Sequence, residues 1–389
     1  MPRKKILVIT HNFPRFPEDS SGQFLFTLYR EFQREHDVFI LCPHGPGLKR
    51  HEQLENMRIV RFRYWFASGE NLAYGGDMQD RVSGSITGKI AFISLIIAGA
   101  VKAFCMIKRE KIDIMHCHWW IPCGIIGFIA ALVAGKPYIQ TSHGTDIILL
   151  YKKKFLRILA GVVYKRASHV TTVSTFLADK LKSLYNFPIS KVVVFPMPYD
   201  ADKFVHDDSI EYEPGYILAI GRFNEQKGFE HLIRACGLLK QQGIGFKMDL
   251  IGSGPLEGYF GKLIDELGLN NDVNLLPPVP HDQVPGYMAR AHIFVLPSIE
   301  EGFGMVLVEA MAMGTVVIGS NSGGIPDIIK DGETGIIVPV KDPLALTTAL
   351  KGILVNEVES KRFISSSRLF IKQRFSPEVI SVKLKSLHD

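Results

Sequence analysis

The chain of 389 residues contains no long run of lysine and arginine, and its aromatic residues do not alternate with basic ones, which argues against nucleic acid as a partner. Its five cysteines, Cys42, Cys105, Cys117, Cys123 and Cys236, show no C-x-x-C spacing and no paired framework. They read as reduced thiols of a cytosolic protein. Metal-binding patterns are weak too. His116, Cys117 and His118 are neighbours, but three adjacent strand residues cannot all face one ion, so core packing is the reading. The "DAD" at Asp200–Asp202 follows no apolar strand and is discounted as a metal motif. No complete G-x-G-x-x-G follows a first strand, which argues against a dinucleotide oxidoreductase. There is no visible signal peptide, since the basic start "MPRKKILVIT" runs straight into a strand. The most apolar stretch, "KIAFISLIIAGAVKAF", is bracketed by Lys89 and Lys102. Only about a dozen apolar residues lie between them, where a membrane span needs ~20, so a buried helix is expected. No long internal repeat or low-complexity tract occurs.

What is present is globular. Hydrophobic residues make up 47% and charged residues 22%, enough for a core in each half of a chain whose length suits two domains. The net charge of +6 is a mild excess that fits an anionic small-molecule substrate or an anionic membrane surface. "YKKKFLRILAGVVYKR" is basic with apolar residues at helical spacing. A solvated helix is its default reading and a membrane-surface helix the competing one.

Both halves alternate short β-branched runs with helical patterns. In the first, "KILVIT", "DVFILCP", "IDIMHCH", "PYIQTSH", "HVTTVS" and "KVVVFP" read as strands; in the second, "YILAIGR", "FKMDLIGSG", "VNLLP", "HIFVLPS" and "TVVIGS" do. Such alternation predicts parallel sheets with helices on both faces. The expected organisation is a Rossmann-like domain over 1–195, a linker over 196–215, a second Rossmann-like domain over 216–374 and a final helix over 375–389. Ser376 is the candidate N-cap of that helix and Pro377 its first residue. The fold class is α/β, two doubly wound domains facing each other across a cleft, with functional loops beyond the carboxyl ends of the strands.

Those loops carry the chemistry. "EEGFGMVLVEAMAMG", Glu300–Gly314, follows the strand "HIFVLP" and enters a helix near Met305, which Gly314 is placed to end. Gly302 and Gly304 allow close backbone approach to a ligand, and the helix N-terminus offers free N–H groups to a phosphate. Eight residues of helix would separate Glu301 from Glu309 by ~12 Å, too far for both to act on one bond but suited to the two ends of an elongated ligand. Arg222 and Lys227 in "GRFNEQKGF" place two cations around a turn at another strand end, which suits a diphosphate. "GSGP" supplies Gly252 and Gly254 after the next strand, an incomplete glycine pattern that is weak alone. Gly22 precedes a helix in the first loop, "EDSSGQF".

Together these loops resemble the retaining glycosyltransferases of family four, which have the GT-B fold. The resemblance spans nearly the whole chain and rests on E-x7-E in "EGFGMVLVE", supported by "GRFNEQKG", "GSGP", "HGTD" and "FSPE". It implies that Arg222 and Lys227 bind the donor diphosphate and stabilise the leaving nucleotide. It implies that Glu301 accepts hydrogen bonds from donor-sugar hydroxyls and that the backbone of Gly302, Phe303 and Gly304 lines that sugar. Amides near Val306 and Leu307 would reach the phosphates, Glu309 the ribose, and the loop at Val279 the base. His143 would contact the donor sugar, with Asp146 of the same "HGTD" facing the cleft. His118, Trp119 and Trp120 would help form an acceptor site or pack.

The implied reaction is hexose transfer with retention, from a UDP- or GDP-sugar to a glycan or lipid-linked acceptor, with no metal and no cofactor. The implied setting is cytoplasmic, peripheral on the inner face of a membrane. Departures from the family pattern are Met197 and Pro198 where Asn-Gly often stands, Pro277 in place of a glycine, and Ser21 beside Gly22. The alternatives are a GT-B epimerase or phosphorylase, or an inactive sugar-nucleotide-binding protein.

Overall fold

A computed structural model describes residues 3–16, 19, 21–74, 78–185 and 191–388. Glu18 and Ser20 of the first candidate loop lie outside the described residues. The chain divides into two units, Met1–Met197 with Ile380–Asp389, and Pro198–Val379.

The first unit holds β1 (Lys5–Ile9), β2 (Asp37–Pro43), β3 (His51–Leu54), β4 (Met57–Phe62), β5 (Ile114–His118), β6 (Tyr138–Ser142), β7 (His169–Thr172) and β8 (Val192–Val194). Among the described residues its sheet runs β3-β4-β2-β1-β5-β6-β7-β8, parallel except for the β3/β4 pair. A parallel sheet is covered on both faces and its central strands are continuously apolar; Ile6, Leu7, Val8 and Ile9 of β1 are fully buried. β5 is the exception. His116 and His118 point to one face, their rings stacked at 4.4 Å, while Cys117 points to the other. A Cβ at Gly127 would lie 2.1 Å from the Cys117 sulfur, so only glycine lets the helix Ile125–Ala134 pack over that strand. These three residues therefore pack as expected.

The second unit holds β9 (Glu213–Ile220), β10 (Lys247–Ile251), β11 (Val273–Leu276), β12 (Ala291–Leu296), β13 (Val316–Ser320) and β14 (Ile336–Val338), in the order β11-β10-β9-β12-β13-β14. All its strands pair in parallel. This is the dinucleotide-fold order 3-2-1-4-5-6, whose direction reverses between the first and fourth strands. That switch point falls between β9 and β12, so the loops that follow these two strands flank the crevice where such sheets bind ligands.

Several boundaries differ from the sequence expectation. Residues 198–212, expected as part of a linker, fold with the second unit. Phe204 is buried there, and His206 Nδ1 bonds the Met313 carbonyl at 2.6 Å. The last helix, Pro377–His388, starts as expected, with the Ser376 hydroxyl accepting from the Val379 amide at 3.4 Å. Its residues from Ile380 onward belong to the first unit, where Ile380 and Leu384 are fully buried.

The apolar stretch expected as a buried helix is a 25-residue helix, Ile86–Glu110, with two unlike faces. Ala91, Leu95, Gly99 and Ala103 pack inward, while Ile90, Ile93, Ile97 and Val101 are each at least half exposed. By length and composition it could cross a membrane. The basic segment expected as one helix is two, Thr145–Lys152 and Leu156–Arg166, broken at Lys153–Phe155.

Candidate active site

Two loops of the second unit meet at its switch point. Gly221 and Arg222 follow β9; a short turn over Glu225–Lys227 comes next, closed by the Asn224 side chain accepting from the Lys227 amide at 3.2 Å. Gly228 then adopts a left-handed φ of 65° and starts the helix Phe229–Gln241. A Cβ at Gly228 would lie 2.2 Å from the Pro297 carbonyl, so this glycine is what allows the turn to lie against the end of β12.

The other loop, Pro297–Gly304, is pinned from several sides. The Ile299 amide donates to the Gln226 carbonyl at 2.7 Å, the Ser322 hydroxyl to the Ile299 carbonyl at 2.7 Å, and the Ser320 hydroxyl to the Ser298 carbonyl. The Gly324 amide donates to the Glu301 carbonyl at 3.0 Å. Preorganisation of this kind holds functional groups in place before a ligand arrives.

Glu301 and Lys227, 74 positions apart in sequence, form an ion pair at 2.7 Å, and the Ser298 hydroxyl donates to the same carboxylate oxygen at 3.1 Å. Arg222 lies exposed at the end of β9, with no ion pair among the described residues. The helix Met305–Ala312 begins at Gly304, φ 105°, with no side-chain cap; the Leu307 amide, expected to reach a phosphate, instead donates to the Gly304 carbonyl at 2.9 Å, which leaves the Met305 and Val306 amides open to an anion. Phe303 does not offer its ring to this space: it is buried against Phe375 at a centroid distance of 5.8 Å. Leu307 also buries its side chain, leaving its backbone to the helix turn, and Val306 is half-buried. Gly302 is half-buried in the pinned loop. The helix ends as expected, with Gly314 at φ 80° and the Thr315 amide returning to the Ala310 carbonyl at 3.0 Å.

Glu309, in the second helical turn, has a neighbour that sequence reading missed. His281 Nε2 stands 3.8 Å from its carboxylate. The Lys203 ammonium donates to His281 Nδ1 at 3.1 Å, so the proton of a neutral His281 sits on Nε2 and faces Glu309. Val279 is half-buried in the loop after β11.

The glycines of "GSGP" have a structural reason. A Cβ at Gly252 would lie 1.9 Å from the Gly221 carbonyl, and one at Gly254 would lie 2.5 Å from the Phe223 carbonyl. They let this loop dock onto the Arg222 loop, where the Phe223 amide donates to the Ser253 carbonyl at 2.8 Å. Sequence reading also passed over Gly323. Its φ is 56° and a Cβ would lie 1.7 Å from the Glu301 carbonyl. Gly323→Ala is expected to lower the thermal midpoint by about 4–8 °C, the shift produced by ~2 kcal/mol in a unit of this size, and to weaken donor binding at least tenfold by calorimetry. An unchanged midpoint would show that the loop shifts without strain.

In the first unit His143 follows β6, and Asp146 stands in the first turn of the helix Thr145–Lys152 that comes next. Asp146 is placed differently from the expectation. Its carboxylate is buried and accepts from the amides of His143, Gly144 and Trp120, each at 3.1 Å. Burial pushes its pKa up, opposed by those hydrogen bonds. Asp146 therefore acts on the chain itself, fixing the His143 loop. His143 Nε2 bonds His118 Nδ1 at 2.9 Å, and His118 Nε2 bonds the Tyr29 hydroxyl at 2.7 Å. Burial first, and His11 second, push the His143 imidazole down to about 3, so it is neutral at pH 7 although its edge remains partly exposed.

Trp119 lies against His143 at 4.2 Å in a strained backbone conformation, φ 62°, whereas Trp120 is fully buried and donates from Nε1 to the Asp146 carbonyl. Gly22, φ 71°, brings the helix Gln23–Phe32 against the turn after β1; a Cβ there would lie 2.5 Å from the Asn12 carbonyl. Among the described residues no group of three His, Cys, Asp or Glu side chains is placed to hold a metal ion.

Two Rossmann-like units with parallel sheets, one presenting cations, a paired carboxylate and an open helix N-terminus at its switch point, define the GT-B class of glycosyltransferases. The Glycosyltransferase Family 4 model matches residues 21–203, and the Glycosyl transferases group 1 model matches residues 201–370. The chain belongs to this family and is a glycosyltransferase.

N-acetyl-alpha-D-glucosaminyl L-malate synthase of Bacillus anthracis is 27% identical over 72% of this chain and 75% of that protein. Two solved structures share the fold. Sucrose-phosphate synthase from Thermosynechococcus elongatus has a TM-score of 0.78 and 19% identity, covering 99% of this chain and 98% of that one. Anabaena Alr3699/HepE in complex with UDP and glucose has a TM-score of 0.75 and 18% identity, covering 99% of each chain.

Proposed function

We propose that this protein transfers a hexose from a UDP- or GDP-sugar to a glycan or lipid-linked acceptor, with retention of anomeric configuration and without a metal. The observation that carries this reading is the Lys227–Glu301 pair beside Arg222 at the β9/β12 switch point. A diphosphate leaving group accumulates negative charge as the sugar C1–O bond breaks, and Arg222, Lys227 and the helix N-terminus at Met305 supply fixed positive charge where it develops. These groups do the work that a divalent ion does elsewhere.

The Anabaena protein binds UDP and glucose and the Bacillus anthracis protein is named for a glucosaminyl product. Both fit a nucleotide-sugar donor here. Glu301 accepts from the sugar hydroxyls and Glu309, backed by His281, from the ribose. In the proposed step the acceptor oxygen bonds C1 on the face the diphosphate leaves, and the acceptor proton passes to the departing phosphate oxygen. The basic segment Lys152–Arg166 supports a lipid-linked acceptor and a peripheral position on the inner face of a membrane.

Calorimetry and thermal shift with UDP-, GDP- and ADP-sugars in EDTA test the donor, since a ligand that binds only the folded state raises the midpoint by mass action. Binding of a UDP- or GDP-sugar is expected; no response to any of the three refutes the reading. Inverted configuration in the product, read by NMR, refutes retention. Glu309→Ala is expected to raise the donor KM about tenfold with little change in kcat, as loss of uniform binding does.

A further inference from the structure

The basic excess of this protein is concentrated in one place. Residues 81–166 carry thirteen Lys and Arg against three Asp and Glu, a balance of +10; with +6 for the whole chain, everything else carries −4. Of the three acids Asp146 is buried, Glu110 is shared between Arg58 at 3.4 Å and Arg109 at 3.3 Å, and exposed Asp113 accepts from the Lys5 amide at 2.8 Å, so a large positive excess remains at the surface.

The same segment carries an unusual apolar surface. On the helix Ile86–Glu110 the residues Ile86, Ile90, Ile93, Ile97 and Val101 recur at intervals of three and four, which places them on one side, and all are exposed. The opposite side anchors the helix to its own unit. Gly99 allows contact with Ile126 and Phe62, and the Ser94 hydroxyl donates to the Tyr64 carbonyl at 2.6 Å. The helix cannot leave that packing to cross a bilayer without breaking the core, although it is long enough.

Two further helices of the same unit extend the surface. The helix Ile125–Ala134 packs beside it and exposes Leu132 and Val133, and Leu156–Arg166 packs beside that one and exposes Ile158 and Val162, with Phe155 exposed just before it. All three belong to rightward crossovers, between β4 and β5, β5 and β6, and β6 and β7, so right-handed connections place them on one face of the sheet. Exposed Lys89, Lys108, Arg109, Lys152, Lys154 and Lys165 border the apolar residues.

We infer that this face of the first unit lies in the interfacial plane of an anionic lipid bilayer. The Ile86–Glu110 helix is its main apolar contact and the bordering lysines and arginines pair with lipid phosphates. Apolar burial of this kind reaches ~5–10 Å into the headgroup region. The occupant is a bilayer because the apolar stripe and the +10 charge coincide: an acidic lipid surface satisfies both, while a second copy of this face would oppose like charges. The inference rests on and deepens the peripheral membrane position proposed above, naming the face and its lipid class, and is independent of the transfer chemistry.

The test is flotation of the full chain with phosphatidylcholine vesicles containing roughly one-third phosphatidylglycerol, an anionic surface of biological density. Binding is expected, falling with salt and several-fold weaker on pure phosphatidylcholine. Ile90→Glu/Ile93→Glu/Ile97→Glu is expected to reduce partitioning at least tenfold, and Lys152→Glu/Lys154→Glu to reduce it at least about 25-fold, because each cation near such a surface contributes a factor of about five and both are reversed. Thermal melting checks that the variants fold.

A measurement on the unaltered chain removes dependence on them. Cys105 is exposed at the edge of the stripe, whereas Cys42, Cys117, Cys123 and Cys236 are buried, so a polarity-sensitive fluorophore on Cys105 is expected to shift to the blue on vesicle addition. No binding to anionic vesicles, or binding with no shift at Cys105, overturns the inference. A dimer dissolved by the triple isoleucine substitution, with no vesicle binding, also overturns it and makes the face a self-contact. Lys227→Ala is expected to bind vesicles as the unaltered chain does, so failure of the transfer reaction and failure of docking are separable.

Discussion

Lys227→Ala is expected to lower kcat about 10²- to 10³-fold, the range for removing one preorganised group that stabilises charge in a transition state. The pair with Glu301 makes this variant informative in a second way. Both side chains are three-quarters or more shielded from solvent, so removing the lysine leaves a carboxylate with only Ser298 as a side-chain partner. Fully buried pairs broken in this way cost about 3–5 kcal/mol, and partial exposure here reduces that to ~1–3 kcal/mol. Part of the loss in rate could therefore arise from a displaced Glu301 loop.

The double variant Lys227→Ala/Glu301→Gln separates the two causes. It removes the unpaired charge and is expected to recover thermal stability while activity stays low. Initial rates with saturating donor, alongside the melting midpoint, give the comparison. Turnover of Lys227→Ala equal to the parent would remove the lysine from the reaction.

The second large effect concerns acid. Four histidines cluster in the first unit, and burial holds each neutral. His11 is pushed down to about 4 and His143 to about 3, while His116 and His118 lie well below the ordinary value, with their histidine neighbours adding to the effect of burial. Their pKa values are depressed in the folded state, so the unfolded chain binds more protons once pH falls below the ordinary histidine value of about 6.5. Stability is thus fully present above that value and is lost as pH falls toward the folded values. His11 and His143 each contribute a slope approaching 1.4 kcal/mol per pH unit, or about 2 kcal/mol between pH 7 and 5, and His116 and His118 act in the same direction.

All four act in the same direction, and an ordinary domain has only about 5–15 kcal/mol of stability to lose. The first unit is expected to unfold cooperatively near pH 5 while the second persists. Far-ultraviolet circular dichroism and tryptophan fluorescence report this, since Trp65, Trp119 and Trp120 all lie in the first unit. A single transition common to both units, or no transition above pH 4, would contradict it.

Much of this arrangement was legible in the sequence, and particular residues show where legibility ended. The strands were readable because parallel strands buried on both faces are short unbroken apolar runs, as in β1 and β12. Arg222, Lys227, Glu301 and Glu309 were readable because they stand in loops or helix starts directly after such strands. The pairing of Lys227 with Glu301 was not, because nothing local connects residues 74 positions apart.

His281 and Lys203 were missed for the same reason, as each sits in a segment with no motif of its own. Asp146 was expected to face a ligand, but a carboxylate after a strand can equally satisfy backbone amides, and the sequence does not distinguish the two. The Ile86–Glu110 helix was expected to be buried. Apolar residues stand on nearly all its sides, so periodicity could not tell which side meets the core; Gly99 and Ala103, the small residues that admit close packing, were the available signal.

The return of Ile380–His388 to the first unit has a consequence for the order of events during synthesis. His388 packs its ring against Phe32 and His116, at 5.1 and 5.2 Å, so the core begun by the earliest strands is closed by residues translated after the whole of the second unit. The second unit is contiguous and can fold as it emerges from the ribosome. The first must wait, with Phe32 and the face of β5 uncovered, until the last helix arrives. A nascent chain stalled before residue 380 therefore presents one finished unit and one open one, and the open one is the natural target for chaperone binding and proteolysis.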